Sequence, residues 1–338
     1  MSAHNVKEKR SSSERAMIKA EIIKKYGALF VFLIIVLIDI IITKNFLSID
    51  TLWNLLIQAT PTILIGIGLT FVIATAGIDI SVGSTMALSS VVTVMLLPVT
   101  GVVPAIIIGL SCGVLTGIFT GLMVVKFNIQ PIVITLAMMI VLRAVARIIS
   151  DAKNFMVTDK SLTSIGLVRV GGIIPIQIIY IVFFVAVFTL IAKYSVFGKS
   201  VEAIGNNKNA ALLCGINVSL IIVVVYALVS LLSGMAGILT VARSGSCNSA
   251  SLGELKELDS IAAVVIGATR MEGGKPQVFG TMIGCLIITL ITMTVNMNNI
   301  PYEYSLVIKA AIIIFVVYLQ RGTSSVGKKI KTTSKLPA

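Results

Sequence analysis

IPIQIIYIVFFVAVFTLIA, residues 174–192, contains no charged side chain. At ~1.5 Å per residue a helix over it reaches about 30 Å, the hydrocarbon thickness of a bilayer. Only a helix serves a single stretch of this kind, because lipid offers no partner to exposed backbone N–H and C=O groups. Working outward, similar stretches precede it at 27–43, 52–75, 83–98, 102–125 and 129–149, and follow it at 217–242, 258–270, 276–297 and 302–320. The chain therefore reads as an all-α polytopic membrane protein with about ten transmembrane helices. The third and eighth stretches are short, as tilted, broken or re-entrant spans are. The first has no small-residue cleavage site after it and reads as an uncleaved span.

Composition agrees: 57% of the 338 residues are hydrophobic and only 12% charged, too few charges to cover a soluble protein. The net charge of +13 does not point to nucleic acid. Its basic residues gather at the two ends: Lys7, Lys9, Arg10, Arg15, Lys19, Lys24 and Lys25 before the first span, and Lys328, Lys329, Lys331 and Lys335 after Arg321. Basic flanks mark the cytoplasmic side. Both termini then lie in the cytoplasm, which requires an even number of crossings. The same count puts loop 193–216 inside, where Lys193, Lys199 and Lys208 face one acid, Glu202, and puts loops 150–173 and 243–257 outside. The resulting division is a basic cytoplasmic tail at 1–26, a transmembrane domain at 27–322 and a second basic tail at 323–338.

Several kinds of chemistry are excluded or weakened. Cys112, Cys214, Cys247 and Cys285 are scattered, with no C-x-x-C pair to hold zinc. The one histidine, His4, lies in the tail, so the serines of Arg243-Ser244-Gly245-Ser246 have no membrane-embedded base to activate them as an intramembrane hydrolase would. Phe197-Gly198-Lys199-Ser200 resembles the end of a P-loop, but the earlier glycine of that motif is replaced by Lys193, so ATP would have to be bound by another subunit. No metal or cofactor is expected on this chain.

Four groups of residues stand out. Gly109, Gly113, Gly117 and Gly121 recur every fourth residue and put one smooth face on the fourth span, the signature of close helix packing. Gly280 and Gly284 read the same way. Gly77-Ile78-Asp79-Ile80-Ser81-Val82-Gly83-Ser84 joins the second and third spans and reads as a cytoplasmic turn capped by Ser81. In loop 193–216, residues 208–214 suit a short helix with Asn207 as its cap and Gly215 as its end. The residues leave a docking element and an ordinary surface loop equally open. Finally, Arg143 and Lys309 sit within apolar spans. Such charges face a bundle interior or water, lining a pathway or fixing its gate, or they form a structural ion pair or snorkel. Asp39, near the outer end of the first span, reads as interfacial. No internal repeat is strong enough to claim.

The ordered set resembles the permease subunits of bacterial ABC importers for ribose, xylose, galactose and arabinose. The family's Gly-Ile-Asp-Leu-Ser-Val-Gly-Ser element is matched at 77–84 with Ile80 for leucine. Its next stretch is matched by Gly121, Leu122, Val124, Lys126, Pro131, Thr135 and Leu136, and an arginine of the fifth span by Arg143. The cytoplasmic loop resembles the family at Ala203-Ile204-Gly205, Ala210-Ala211 and Gly215-Ile216-Asn217-Val218. A late segment does so from Glu257 through Asp259 to Gly267, and a last-span lysine at Lys309. The likeness covers about residues 27 to 322. Departures at Asn206, Ala137 and Ala144, and at Arg270, Met271, Glu272 and Pro276, bear on which sugar and which partners are used.

The resemblance implies a multi-pass protein of the bacterial cytoplasmic membrane that is not itself an enzyme. Two identical or paralogous permeases would surround the pathway. An ABC ATPase with two nucleotide-binding halves, using ATP and Mg, would dock below, and an extracytoplasmic sugar-binding protein would deliver a ribose-like pentose or a hexose. It places a docking helix at about 202–215, with Glu202, Gly205, Asn206, Asn207, Ala210 and Gly215 as its residues; Arg143, Asp259 and Lys309 are the candidates for the pathway or its gate. An ABC permease for a nucleoside, a branched-chain amino acid or an autoinducer-like sugar derivative is the nearest alternative. An ion-coupled secondary transporter is disfavoured, because the acids sit mainly at span ends and in loops rather than at the midplane.

Overall fold

The computed structural model describes residues 27–301, 303–312 and 314; the tails expected at 1–26 and 323–338 lie outside the described residues. The helices are α1 (Gly27–Ile42), α2 (Ile49–Ala74), α3 (Val82–Thr100), α4 (Val102–Lys126) and α5 (Pro131–Ile149). After β1 (Asn154–Met156), α6 (Lys160–Leu167), β2 (Arg169–Val170) and β3 (Ile174–Pro175) come α7 (Ile176–Tyr194), α8 (Val196–Asn206) and α9 (Lys208–Leu213). The chain continues through α10 (Val218–Ser244), β4 (Ser246–Asn248), α11 (Lys256–Ile266) and α12 (Val278–Met297), and is helical again over 303–312.

Local chemistry sets these limits. The Ser48 hydroxyl accepts from the Thr51 amide at 3.1 Å to start α2. Pro131 occupies the first turn of α5, where its missing N–H costs nothing. Asn217 caps α10 by accepting from the Leu220 amide at 3.0 Å, and Gly245, at φ +65°, ends it in the left-handed conformation that glycine adopts without strain.

Seven of the described helices are long and apolar enough to cross a membrane: α2, α3, α4, α5, α7, α10 and α12. The expected third span is the full-length α3. The eighth is not: α11 has 11 residues, about 16 Å, roughly half the hydrocarbon core.

At the centre α2 crosses α10. Every residue of α2 from Ala59 to Ala74 is buried, and Gly68 lies so close to α10 that a Cβ there would be 2.7 Å from the Val229 Cα. The four glycines of α4 meet two partners. Gly109 and Gly113 lie against Ser89 and Thr93 of α3, Gly117 and Gly121 against Tyr226 and Val223 of α10. α12 repeats the arrangement: Gly280 and Gly284 lie on Gly267 and Ala263 at the end of α11, while Thr281 and Cys285 face Gly66 of α2. Each half thus contains a long helix, an irregular segment, a following helix, and a glycine-bearing helix that packs on its own half and on the other half's long helix. The repeat that sequence did not support is a repeat of packing. Its traces in the residues are the four-residue glycine spacing shared by α4 and α12, and Ile78-Asp79 at the first break beside Leu258-Asp259 near the second.

Two short antiparallel ladders qualify the all-α expectation. β1 pairs with β4, Phe155 opposite Cys247, and β2 pairs with β3, Val170 opposite Ile174. The first ladder joins loops 150–173 and 243–257, which the charge reading had assigned to one side.

Candidate coupling site and transport core

α8 begins at Ser195, whose hydroxyl accepts from the Gly198 amide at 3.0 Å. It buries Val201 and Ile204 and keeps the Lys199–Glu202 pair, 3.4 Å apart, at the surface. The P-loop-like run 197–200 is part of this helix. Asn207 then leaves helical geometry, and its side-chain oxygen accepts from the amides of Asn209 and Ala210 at 3.0 and 3.1 Å, which starts α9. Gly215, at φ +79°, follows its end. The helix expected over 208–214 is present as Lys208–Leu213. The single docking helix expected at about 202–215 is corrected to two, the end of α8 and α9, broken at the extended Asn207; the start of α8 at Val196 was not expected. α9 buries Ala211 and turns Asn209, Ala210, Leu212 and Leu213 outward, Leu213 being 90% exposed.

Gly205 roots this surface element in the bundle. Its α-carbon lies against the Ala74 carbonyl at the end of α2 and against the Gly274 amide, with no room for a Cβ. The Gly274 N–H donates to that same Ala74 carbonyl at 2.8 Å. The last turn of α8, the end of α2 and loop 267–277 therefore meet at one point, made of backbone.

One turn beyond Ala74 the chain enters the Gly77–Ser84 element. The expected exposed turn is corrected here to a buried one: Asp79, Ser81 and Ser84 are each 2% exposed or less. The Ser81 hydroxyl does not cap α3 either; it and the Ser81 amide both donate to Asp79 Oδ1, at 2.7 and 2.8 Å. Thr135 of α5 and Tyr226 of α10 each donate to the Ile78 carbonyl at 3.4 Å, and Ser84 donates to the Met139 carbonyl at 2.7 Å. Tyr226 lies about 12 Å along α10 from its start. Irregular backbone at that depth is tolerated only when protein covers it. Asp79 Oδ2 is buried with no hydrogen-bond partner. Gly83 meets Gly253, so the break between α2 and α3 touches the break between α10 and α11.

Five other charges are placed by the fold. The Arg143 guanidinium donates to the carbonyls of Ser249 and Leu252 at 3.1 and 2.6 Å, clamping loop 245–255, and Ser150 donates to Ser249 at 2.8 Å. Lys309 pairs with Asp259 at 2.8 Å, both side chains largely buried. Beside them Lys256, not singled out from sequence, donates to the Thr62 hydroxyl at 3.3 Å. Asp39 is corrected from interfacial to buried: it is 1% exposed and accepts from Thr294 at 2.8 Å. Among the described residues, no three His, Cys, Asp or Glu side chains gather to hold a metal ion.

Residues 51–317 match the family described as the permease component of branched-chain amino acid transport systems. The chain belongs to this permease family. It is 37% identical to the ribose import permease of Haemophilus influenzae over 84% of this chain and 90% of that one. It is 36% identical to the ribose import permease of Bacillus subtilis, over 90% and 95%. It is 33% identical to the D-allose permease of Escherichia coli, over 88% and 91%. No solved structure matches. Membership makes the chain a multi-pass membrane transport subunit of an ABC importer and not an enzyme.

Proposed function

We propose that this permease imports a ribose-like monosaccharide, as one of two copies, identical or paralogous, each with about ten membrane helices and cytoplasmic termini. ATP and Mg act on a separate ATPase with two halves, and an extracytoplasmic binding protein delivers the sugar. The sugar assignment rests on the relatives, which are named for ribose and allose. One observation carries the coupling: an outward-facing, well-capped α9 is continuous with α8, and α8 touches the bundle through the backbone contact of Gly205 with Ala74 and Gly274.

Closure of the ATPase halves displaces α8 and α9. A backbone contact with no flexible side chain in it passes that displacement to α2 without slack. α2 ends in the Gly77–Ser84 element, whose partly unsatisfied carboxylate marks it as a segment not optimised for one state. Motion there reaches loop 245–255 through Gly83 and Gly253, and Arg143 holds that loop by its carbonyls. The Asp259–Lys309 pair fixes α11 to the last helix during the change.

The test is uptake of labelled sugars into vesicles carrying this chain, its ATPase and sugar-loaded binding protein. Uptake that needs all three and follows ATP supports the reading. Uptake by the chain alone that collapses with the ion gradient overturns it.

A further inference from the structure

At the end of α2 farthest from Gly205, a groove of about 260 Å³ opens between α2 and α12, lined by Thr51, Asn54, Gln58, Met293, Asn296 and Met297. Its volume is near the small end of ligand pockets, about 300–1,000 Å³. Its polar side chains are neutral. Those of Asn54, Gln58 and Asn296 make no hydrogen bond among the described residues, whereas the adjacent Asn298 and Thr294 are satisfied internally, by Thr43 and Asp39 at 2.8 Å each. Asn54 and Asn296 are exposed near the ends of α2 and α12, and Gln58 is half-buried; a polar group at membrane depth, as Gln58 is, faces water, a ligand or another chain. Gln58 lies about 14 Å along α2. One turn on, the same face carries Thr62, the acceptor of Lys256, which precedes Asp259 and its partner Lys309 by one turn of α11. The polar file therefore continues from the groove into the charged cluster of the core.

We infer that this groove is a hydroxyl-recognising subsite of the transport pathway, in which Asn54, Gln58 and Asn296 exchange hydrogen bonds with a neutral polyhydroxylated solute. An amide both donates and accepts, matching neighbouring hydroxyls, and the absence of a lining charge selects against ions. The inference rests on the importer reading.

The experiment measures sugar taken up per ATP hydrolysed for the unsubstituted chain, Gln58→Leu and Asn296→Leu, with ATPase and loaded binding protein. Losing one such hydrogen bond lowers sugar per ATP about three- to ten-fold, uptake falling more than hydrolysis. A Gln58→Cys chain is labelled from outside by a membrane-impermeant thiol reagent, above the level of the unsubstituted chain, and docked binding protein blocks the labelling. Unchanged sugar per ATP in both leucine variants overturns the subsite, as does a Gln58→Cys chain labelled no more than the unsubstituted one. Dissociation of the paired permease copies in Gln58→Leu also overturns it, showing the face to be a contact between copies. If the unsubstituted chain drives no ATP-dependent uptake of any sugar, the importer reading has failed first, and the subsite with it.

Discussion

Gly205→Ala adds one methyl group at the point where α8 meets the bundle. That carbon would overlap the Ala74 carbonyl oxygen and the Gly274 amide nitrogen, which are themselves hydrogen-bonded at 2.8 Å. Both are backbone atoms, so no side chain can rotate away. Either α8 lifts by about an ångström or more, or the Gly274–Ala74 bond opens. Forcing a methylene into a packed contact costs about 1–3 kcal/mol, and a buried amide left without its acceptor costs about the same. The smaller case alone is about a five-fold change in an equilibrium between arrangements. A cost of this size leaves a domain of about 5–15 kcal/mol stability folded. The expected result, in vesicles with ATPase and binding protein, is a fall in sugar uptake of about five-fold or more with a smaller fall in ATP hydrolysis. Gly27→Ala is the control, because a Cβ there meets nothing within 4 Å. A folded, assembled Gly205→Ala complex with unaltered sugar per ATP would refute the coupling argument.

Three further outcomes follow from the same structure. Asn207→Ala removes the acceptor for the Asn209 and Ala210 amides, costs α9 about 0.5–2 kcal/mol, and weakens ATPase binding to the permease, read by co-purification over a salt series. Lys309→Met removes the ion-pair partner of Asp259, leaving Lys256 as its nearby cation, and lowers stability by about 3–5 kcal/mol, read as the thermal midpoint in detergent; adding Asp259→Asn restores part of it, because the carboxylate is then neutral while the Lys256 charge remains. A maleimide at pH 7 labels exposed Cys214 and spares Cys247 in the folded chain, because burial pushes the Cys247 thiol up to about 12 and leaves almost no thiolate; equal labelling of both would contradict the fold around β4.

How far sequence reached depended on the range of the physics involved. Long apolar runs and an Asn-to-Gly helix frame are local, and they marked a helical multi-pass protein, seven of its long spans and the short helix at 208–213. The glycine periodicity of α4 showed that a face packs closely, but not against what; the structure divides it between α3 and α10. Gly77–Ser84 read as a surface turn because its polar residues look solvent-facing in one dimension. Only the tertiary structure supplied the Ile78 partners Thr135 and Tyr226, 57 and 148 residues away, that let such a segment lie inside the protein. The same holds for Asp39, whose hydrogen bond comes from Thr294, and for Lys309, whose partner Asp259 is 50 residues distant. Composition and periodicity record which residues prefer lipid, water or a helix. Where a polar group goes when it is denied water is decided by partners far off in the chain, and these exist only once the helices are packed.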